Sequence, residues 1–220
     1  MSANKPRKKK RLPIFWIIFL SSVVVFLLLL VFQPERETVE PTHLPWNSYY
    51  DEQGNLNALG LKLNHSTLND VMRLYGKDVE VKMFSDINES NKSIEAYFPV
   101  MYIGSIKAAI ALRLDVDMET LDSTFEAGKK ITMSQSGGRE VELYSTDVAK
   151  FLDTTFSSIT LVPRKHLTDR AIETRFGKAD RSEVQSDGLL HLFFNEKGLE
   201  MIVDEEGPEA LQFSQTIKPI

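Results

Sequence analysis

The pattern of apolar and polar positions divides the chain into two unequal parts. Residues 13–32 form an apolar run that only Ser21 and Ser22 interrupt. A helix needs about 20 such residues to cross the hydrocarbon core of a bilayer. Six basic residues precede the run, within residues 1–12, and basic residues beside a first span stay in the cytoplasm. The pattern therefore predicts a cytoplasmic tail at 1–12, a transmembrane anchor at 13–32 and an exported remainder.

A cleaved signal peptide is the alternative explanation of this N-terminal segment. Signal peptides have a shorter apolar core, about 7–15 residues, and end in a small-residue cleavage site. The apolar run here is longer, and no A-x-A-like triplet follows it. We therefore expect an uncleaved anchor.

After the apolar run, the pattern changes to a short linker and then to alternating short elements. Residues 33–45 are rich in Pro, Glu and Thr, a composition that predicts a stiff tether. Amphipathic segments with polar caps and closing glycines predict helices at 67–75, 117–127, 145–152 and 168–176. Alternating or apolar segments predict strands at 79–84, 94–98, 105–116, 130–134, 140–144, 156–162, 182–185, 189–194, 199–203 and 210–214.

Two details of the pattern make further predictions about the strands. Leu190, Leu192 and Phe194 alternate with three other bulky residues in strand 189–194, so we expect this strand to be covered on both faces. A D/N-x-x-G pattern at 51–54, 195–198 and 204–207 predicts hairpin turns that end in a left-handed glycine.

The second half of this pattern repeats the first at a spacing of 101 residues. Residues 67–77 align with residues 168–178, so that a Thr cap, an inward aliphatic residue, an aromatic residue, Gly and Lys recur in register. Antiparallel strands follow both copies. We therefore predict an α+β fold, in which a single transmembrane helix precedes two related modules of helices and antiparallel sheet. The first module is residues 46–116, a helix–hairpin–helix connection is 117–158, and the second module is 159–220.

The second module resembles a known family. Residues 168–178, followed by the strand at 188–194 and the turn and strand at 197–204, resemble the BamE/SmpA type of outer-membrane lipoprotein, which shares its module with the β-lactamase inhibitor protein. The chain differs from those members in having no lipobox cysteine and in its predicted anchor. The resemblance implies an envelope protein of a Gram-negative bacterium with a scaffolding rather than a catalytic role. It places the predicted anchor in the inner membrane, with the C-terminal part in the periplasm.

The charge of the chain excludes one broad class of partner. Six of the 26 Lys and Arg residues and none of the 31 Asp and Glu residues precede residue 33, so the remainder has a net charge of −11. This balance argues against binding to nucleic acid through broad electrostatics. The chain has no cysteine, which excludes disulfides, thiolate metal sites and cysteine nucleophiles.

Candidate chemistry in the remaining residues is weak. The four histidines, His43, His65, His166 and His191, have no metal-ligand spacing, and the serines at 134 and 136 lack a G-x-S-x-G context. Acidic clusters at 115–117 and 204–206 lack the alternating ligands of a calcium loop, and Gly-Lys pairs at 76–77 and 177–178 follow helices rather than precede them. The sequence therefore predicts no catalytic residue, no metal and no cofactor.

The function predicted from these patterns is protein interaction. We expect an envelope adaptor or assembly factor that presents a sheet face or edge to an unknown envelope protein, in an oligomeric state that the sequence leaves open. The alternatives are an anchored hydrolase acting on cell-wall material or peptides, and a sensor that binds a small ligand between the two modules. The hydrolase predicts His191 or His65 near carboxylates in a deep cleft.

Overall fold

The computed structural model describes residues 14–31, 40–133, 138–204 and 207–215. The chain divides into two compact units, residues 1–38 and residues 39–220. In the first unit, helix α1 spans Ile14–Val31, and residues 14–29 are all exposed.

The predicted transmembrane anchor at 13–32 is wrong. Within the described residues, no helix is both long and apolar enough to cross a membrane. The predicted tail at 1–12, and residues 33–39 of the predicted tether, lie outside the described residues.

The second unit is an α+β fold. A small sheet contains β1 (Tyr49–Tyr50), β2 (Leu56–Ala58) and β3 (Leu61–Lys62). A ten-stranded sheet contains β4 (Glu80–Ser85), β5 (Lys92–Ile103), β6 (Ile106–Leu114), β7 (Lys130–Met133), β8 (Arg139–Glu142), β9 (Phe156–Pro163), β10 (Arg181–Val184), β11 (Leu190–Phe194), β12 (Leu199–Val203) and β13 (Ala210–Ser214). The α-helices of this unit are α2 (Leu68–Tyr75), α3 (Met118–Glu126), α4 (Ser145–Val148) and α5 (Asp169–Phe176), and short 3₁₀ turns occupy Pro41–His43, Pro45–Asn47, Ala149–Phe151 and Asn195–Lys197.

The two predicted modules share one sheet. Its strand order is β10-β11-β12-β13-β9-β6-β5-β4-β8-β7, and the pairs are antiparallel. The meander β4–β5–β6 comes from the first half and β10–β13 from the second. Strand β9 lies between them and pairs with both β6 and β13. The expectation of a separate sheet in each module is therefore wrong, because pairing with β9 satisfies the backbone groups that two separate sheets would leave at their edges.

The repeated helices begin and end in the same way. Thr67 accepts a hydrogen bond from the amide of Asp70, and Thr168 accepts one from the amide of Ala171, so each threonine satisfies a free donor of the first helical turn. Helix α2 also has a complete capping box, because the Asp70 carboxylate accepts from the amide of Thr67. The glycines after the two helices, at 76 and 177, have positive φ angles. The predicted helices at 67–75 and 168–176 are confirmed.

The hydrophobic core lies against one face of the large sheet, here called the core face. Its residues alternate along the central strands, for example Ile94, Phe98, Ile110, Leu161 and Phe213, which are all at most 1% exposed. Side chains of all four helices of the second unit pack into this same cluster: Leu68 and Val71 of α2, Leu121 of α3, Val148 of α4, and Ile172 and Phe176 of α5. The small sheet adds Leu56, Ala58 and Leu61.

The connection at 117–158 extends the sheet instead of standing apart from it. Its hairpin, β7 and β8, pairs with β4 through β8. This hairpin was predicted at 130–134 and 140–144, and the residues of its turn at 134–137 lie outside the described residues. Its place beside β4 depends on a contact between segments more than 50 residues apart, which local patterns do not encode.

Candidate binding face

The opposite side of the large sheet, here called the open face, has no helix packed on it within the described part of residues 39–220. Strand register places one residue of each of eight adjacent strands in a row across it: Glu80, Tyr97, Ala111, Thr160, Gln212, Glu200, Phe193 and Arg181. None of these side chains belongs to the hydrophobic core cluster. Among the described residues of 39–220, the open face thus lacks a second layer across eight strands.

The centre of the open face is made of short, uncharged side chains. Strands β6 and β9 contribute Ala109, Ala111, Ser158, Thr160 and Val162. Exposed aromatic residues of β5, Tyr97 and Tyr102, stand beside them, with 37% and 62% of their surfaces exposed.

Charged side chains surround this centre. Lys107 and Arg113 lie at the two ends of the β6 row, and Arg113 is opposite Glu95 on β5. Burial raises the pKa of Glu95, and the nearby Arg113 charge partly opposes that shift. The rim therefore carries charges, whereas the centre carries none.

A polar hollow of about 640 Å³ lies at the β7–β8 end of the open face. Nζ of Lys82 is 2.9 Å from Oε1 of Glu140 and 3.5 Å from Oε2 of Glu80. Nζ of Lys129 is 2.8 Å from Oε1 of Glu142. The hydrogen bond to Glu140 raises the pKa of Lys82. The positive and negative charges of these pairs neutralise one another, so this end of the face carries alternating charges and has no large excess of either sign.

The other end of the open face carries a buried histidine. His191 is 3% exposed, with Nδ1 at 2.6 Å from Oε1 of Glu200 and Nε2 at 3.0 Å from Oδ2 of Asp187. Burial alone lowers the pKa of His191, but the hydrogen bonds to the two carboxylates outweigh it and raise the pKa. Since each ring nitrogen faces an acceptor, the geometry fits the doubly protonated imidazolium.

Phe193 is 3% exposed on the same face, although no second layer covers it. The Arg181 guanidinium lies over its ring, 3.8 Å from the centroid, and the His191 ring stacks beside it at 6.4 Å. The prediction that strand 189–194 is covered on both faces is therefore only partly confirmed. Neighbouring side chains bury His191 and Phe193 on the open face, whereas on the core face Phe194 is buried and Leu190 is 36% exposed. The long stem of an arginine can bury an aromatic ring in this way.

The other histidines lie apart from one another. Nδ1 of His65 is 3.1 Å from the Leu63 carbonyl, whereas Nδ1 of His166 is 2.8 Å from Oε1 of Glu209. These two histidines hold equivalent places in the repeat but have unrelated partners. Among the described residues, no group of three or more His, Cys, Asp or Glu side chains is arranged to hold a metal ion.

The sequence analysis missed Glu209. Its side chain is fully buried, and its Oε2 accepts a hydrogen bond of 2.8 Å from the amide of Leu167, just before helix α5. Oε1 makes no well-aligned hydrogen bond, although Nδ1 of His166 is close to it. A Pro-Glu pair in a predicted hairpin loop gave no signal of burial.

The structure describes the first acidic cluster, 115–117, in full and the second only in part. Asp117 caps helix α3, because its side chain accepts a hydrogen bond of 2.9 Å from the amide of Thr120. In the second cluster, 205–206 lie outside the described residues, as do the serines at 134 and 136.

Comparison of the chain with family models, with curated proteins and with solved structures finds no match. The BamE/SmpA resemblance stays a prediction, and the envelope location with it.

The hydrolase alternative predicted that His191 or His65 would lie near carboxylates, and His191 does so. Both of its ring nitrogens are engaged by carboxylates, so neither is left to take a proton from a substrate. Within the described residues, none of its hydrogen bonds goes to a serine or threonine hydroxyl. The arrangement around His191 therefore stabilises charge and lacks the nucleophile–base contact of a hydrolase.

Proposed function

We propose that this protein is a non-catalytic binding protein, which holds a partner protein against the open face of its sheet as an adaptor or assembly factor. The observation that carries the proposal is the distribution of side chains on that face. Short uncharged residues and exposed tyrosines occupy its centre, and charged residues surround them. Protein interfaces have the same anatomy, with few charges and many aromatic residues at the core and a polar rim.

The size of the face supports this function. Ten strands spaced about 4.8 Å apart give a width of roughly 43 Å, and a five-residue strand is about 17 Å long. The product is about 700 Å², which approaches the roughly 800 Å² that each partner contributes to a standard interface. A solvated antiparallel face usually carries alternating polar residues, whereas Ala109, Ala111 and Val162 are apolar.

The edges of the sheet offer a second way to engage the same partner. Strands β7 and β10 each pair on one side within the described residues. Ile131 and Met133 of β7 are 50% and 72% exposed. An extended segment could add to such an edge through backbone hydrogen bonds.

Site-specific photocrosslinking in the native cell tests the proposal. A photoreactive residue is placed at Tyr102 on the open face, at Ser182 on the β10 edge, or at Glu173 on the exposed side of α5. We expect one adduct of defined mass from Tyr102 and none from Glu173. An adduct from Ser182 alone would move the interface to the edge, and no adduct from either position would contradict the proposal.

A charge substitution tests whether the Tyr102 adduct depends on the centre of the open face. Ala111→Arg places a long cation at the centre of the open face, and we expect it to abolish the Tyr102 adduct. Ala127→Arg makes the same change at an exposed position after helix α3 and should leave the adduct intact. Thermal unfolding of both variants, followed by circular dichroism, checks that each is folded.

A further inference from the structure

A cavity of about 190 Å³ lies between helix α5 and the core face of the sheet. Trp46 closes one side, Ile106 and Leu161 come from the sheet, and Ala171 and Phe176 come from α5. Ser105 and Arg175 are the polar residues of its lining. Its walls come from the predicted first and second modules, on the opposite side of the sheet from the open face.

The volume of the cavity sets the size of what it can hold. An apolar cavity of about 150 Å³ accommodates one benzene molecule and stays dry when empty. A cavity of about 190 Å³ therefore fits one apolar group of roughly six to eight heavy atoms. Walls of this kind provide almost no hydrogen bonds, so water gains little by entering.

Arg175 places a cation at this cavity. Its guanidinium carbon is 4.3 Å from the centroid of the Trp46 ring, and stacking of this kind orients the guanidinium plane. None of the ion pairs among the described residues involves Arg175, whereas Arg73, Arg139 and Arg181 each face a carboxylate. Within the described part of the chain, the cavity thus combines an apolar interior with an oriented cation that forms no ion pair.

The first copy of the repeat lacks this combination. The position equivalent to Arg175 is Leu74, and the residue equivalent to Phe176 is Tyr75, whose hydroxyl donates to the Leu59 carbonyl at 2.6 Å. The segment that contains Leu59 and Leu61 is buried with helix α2 in the core. A hollow also lies beside α2, but the arginine that lines it, Arg73, pairs with Asp70. Among the described residues, an arginine that stacks on an aromatic ring of the lining without an ion pair is therefore found beside α5 and not beside α2.

We propose that this cavity is a binding site for a medium-chain carboxylic acid. The apolar chain fills the space beneath α5, and the carboxylate pairs with the Arg175 guanidinium, whose planar donors match two carboxylate oxygens. The charge selects a carboxylate, and the volume of about 190 Å³ selects a single chain rather than a larger lipid. The proposal is independent of the partner proposed for the open face.

Fluorescence of Trp46 reports on occupancy directly, because this indole forms part of the wall. The experiment uses the full chain with Trp16→Phe, so that Trp46 is the one remaining tryptophan of the two in the sequence. Octanoate should produce a saturable change in emission, and acetate should produce none. From butanoate to octanoate, affinity should rise roughly fourfold per methylene, the factor that corresponds to burial of one CH₂ group.

Three variants test the position of the site and distinguish the contribution of the cation from that of the apolar space. Arg175→Gln should weaken octanoate about tenfold or more, as expected for loss of a hydrogen bond to a charged group, and should leave octanol binding unchanged. Arg170→Gln removes an arginine of the same helix that does not line the cavity, and should have no effect. Ala171→Leu fills the cavity and should abolish binding of both ligands.

Other outcomes overturn the proposal. Equal binding of octanoate to the Arg175→Gln variant would show that the cation is not part of the site. Undiminished binding to the Ala171→Leu variant would place the ligand elsewhere on the chain. Binding of a short peptide with a free C-terminal leucine, without binding of octanoate, would assign the cavity to a protein terminus instead.

Discussion

His191 and Glu200 form the shortest contact of the open face that involves a buried side chain, with Nδ1 of the histidine 2.6 Å from Oε1 of the glutamate. The two residues lie on neighbouring strands, where His191 is opposite Ile202 and Glu200 is opposite Phe193. Asp187 approaches the other ring nitrogen from the preceding turn. A buried imidazolium is thus held between two carboxylates, and its protonation is coupled to folding.

The stability of the protein should fall as the pH rises above about 6.5, the ordinary pKa of histidine. The folded-state pKa of His191 is raised, so its stabilising effect is complete below the unfolded-state pKa and is lost as the pH passes through the folded-state pKa. Urea unfolding between pH 5 and pH 9 measures how the free energy of unfolding depends on pH. His191→Gln should remove most of the slope and cost about 2 kcal/mol at pH 5, since it removes hydrogen bonds between charged groups. A variant with the same slope as the parent would contradict the prediction.

Loss of Glu209 should destabilise the protein. Glu209→Ala leaves the amide of Leu167 without its acceptor and opens a space in the buried site, so we expect a loss of about 2–3 kcal/mol in the free energy of unfolding. Glu173→Ala, at an exposed position of α5, should change it by no more than about 0.5 kcal/mol. Urea unfolding of the two variants compares them, and equal stabilities would show that the Glu209 hydrogen bond contributes nothing.

The two threonine caps should differ in strength. Replacing a threonine N-cap by alanine costs about 1 kcal/mol. Thr67→Ala should cost more than Thr168→Ala, because Thr67 is part of a complete capping box with Asp70, and its loss weakens both halves of that box. Thr174→Ala, in the exposed middle of α5, is the control and should cause no loss. Thermal unfolding of all three ranks them, and a larger cost at Thr168 would contradict the argument.

Gly198 should tolerate no side chain. Its φ of +55° is left-handed, and a Cβ there would meet the side chain of Leu56 and lie 2.9 Å from the Tyr50 hydroxyl oxygen. Gly188 has a φ of +82° but nothing within 4 Å of such a Cβ. Gly188→Ala should therefore cost about 1 kcal/mol from backbone strain alone, and Gly198→Ala clearly more, because Leu56 is fully buried and has little room to move. Denaturant midpoints of the two variants test this, and equal costs would show that the close approach to Leu56 is unimportant.

Local signals predicted the elements of the second unit well. The helices at Leu68–Tyr75 and Asp169–Phe176 match their predicted ranges because capping threonines and closing glycines act within one or two turns. The turn glycines at 54 and 198 have the predicted positive φ, whereas Gly207, for which the same was predicted, does not. The predicted anchor, in contrast, is not supported, because no helix among the described residues is both long and apolar enough to cross a membrane.

Local signals in the sequence did not predict the open face, the Arg175–Trp46 contact or the burial of Glu209. Tyr97, Ala111 and Thr160 are unremarkable in the sequence and become neighbours through strand register. Arg175 and Trp46 are well over 100 residues apart, and nothing local indicates that the guanidinium lies on the indole ring. Glu209 carries no pattern that predicts its burial.

The sequence by itself determined most of the segments that become helices and strands, because caps, turn glycines and apolar periodicity act over a few residues. It did not predict β2 and β3 of the small sheet, nor the extension of β5 to Ile103. It also determined that the second half repeats the first helix with its threonine cap and glycine stop. Only the tertiary structure decided that both halves join through β9 into one sheet, that helices cover one face of it, and that a cavity remains beneath α5. Those features arise from pairing and packing between distant segments, where the free energy depends on which surfaces meet and not on the residues of any one segment.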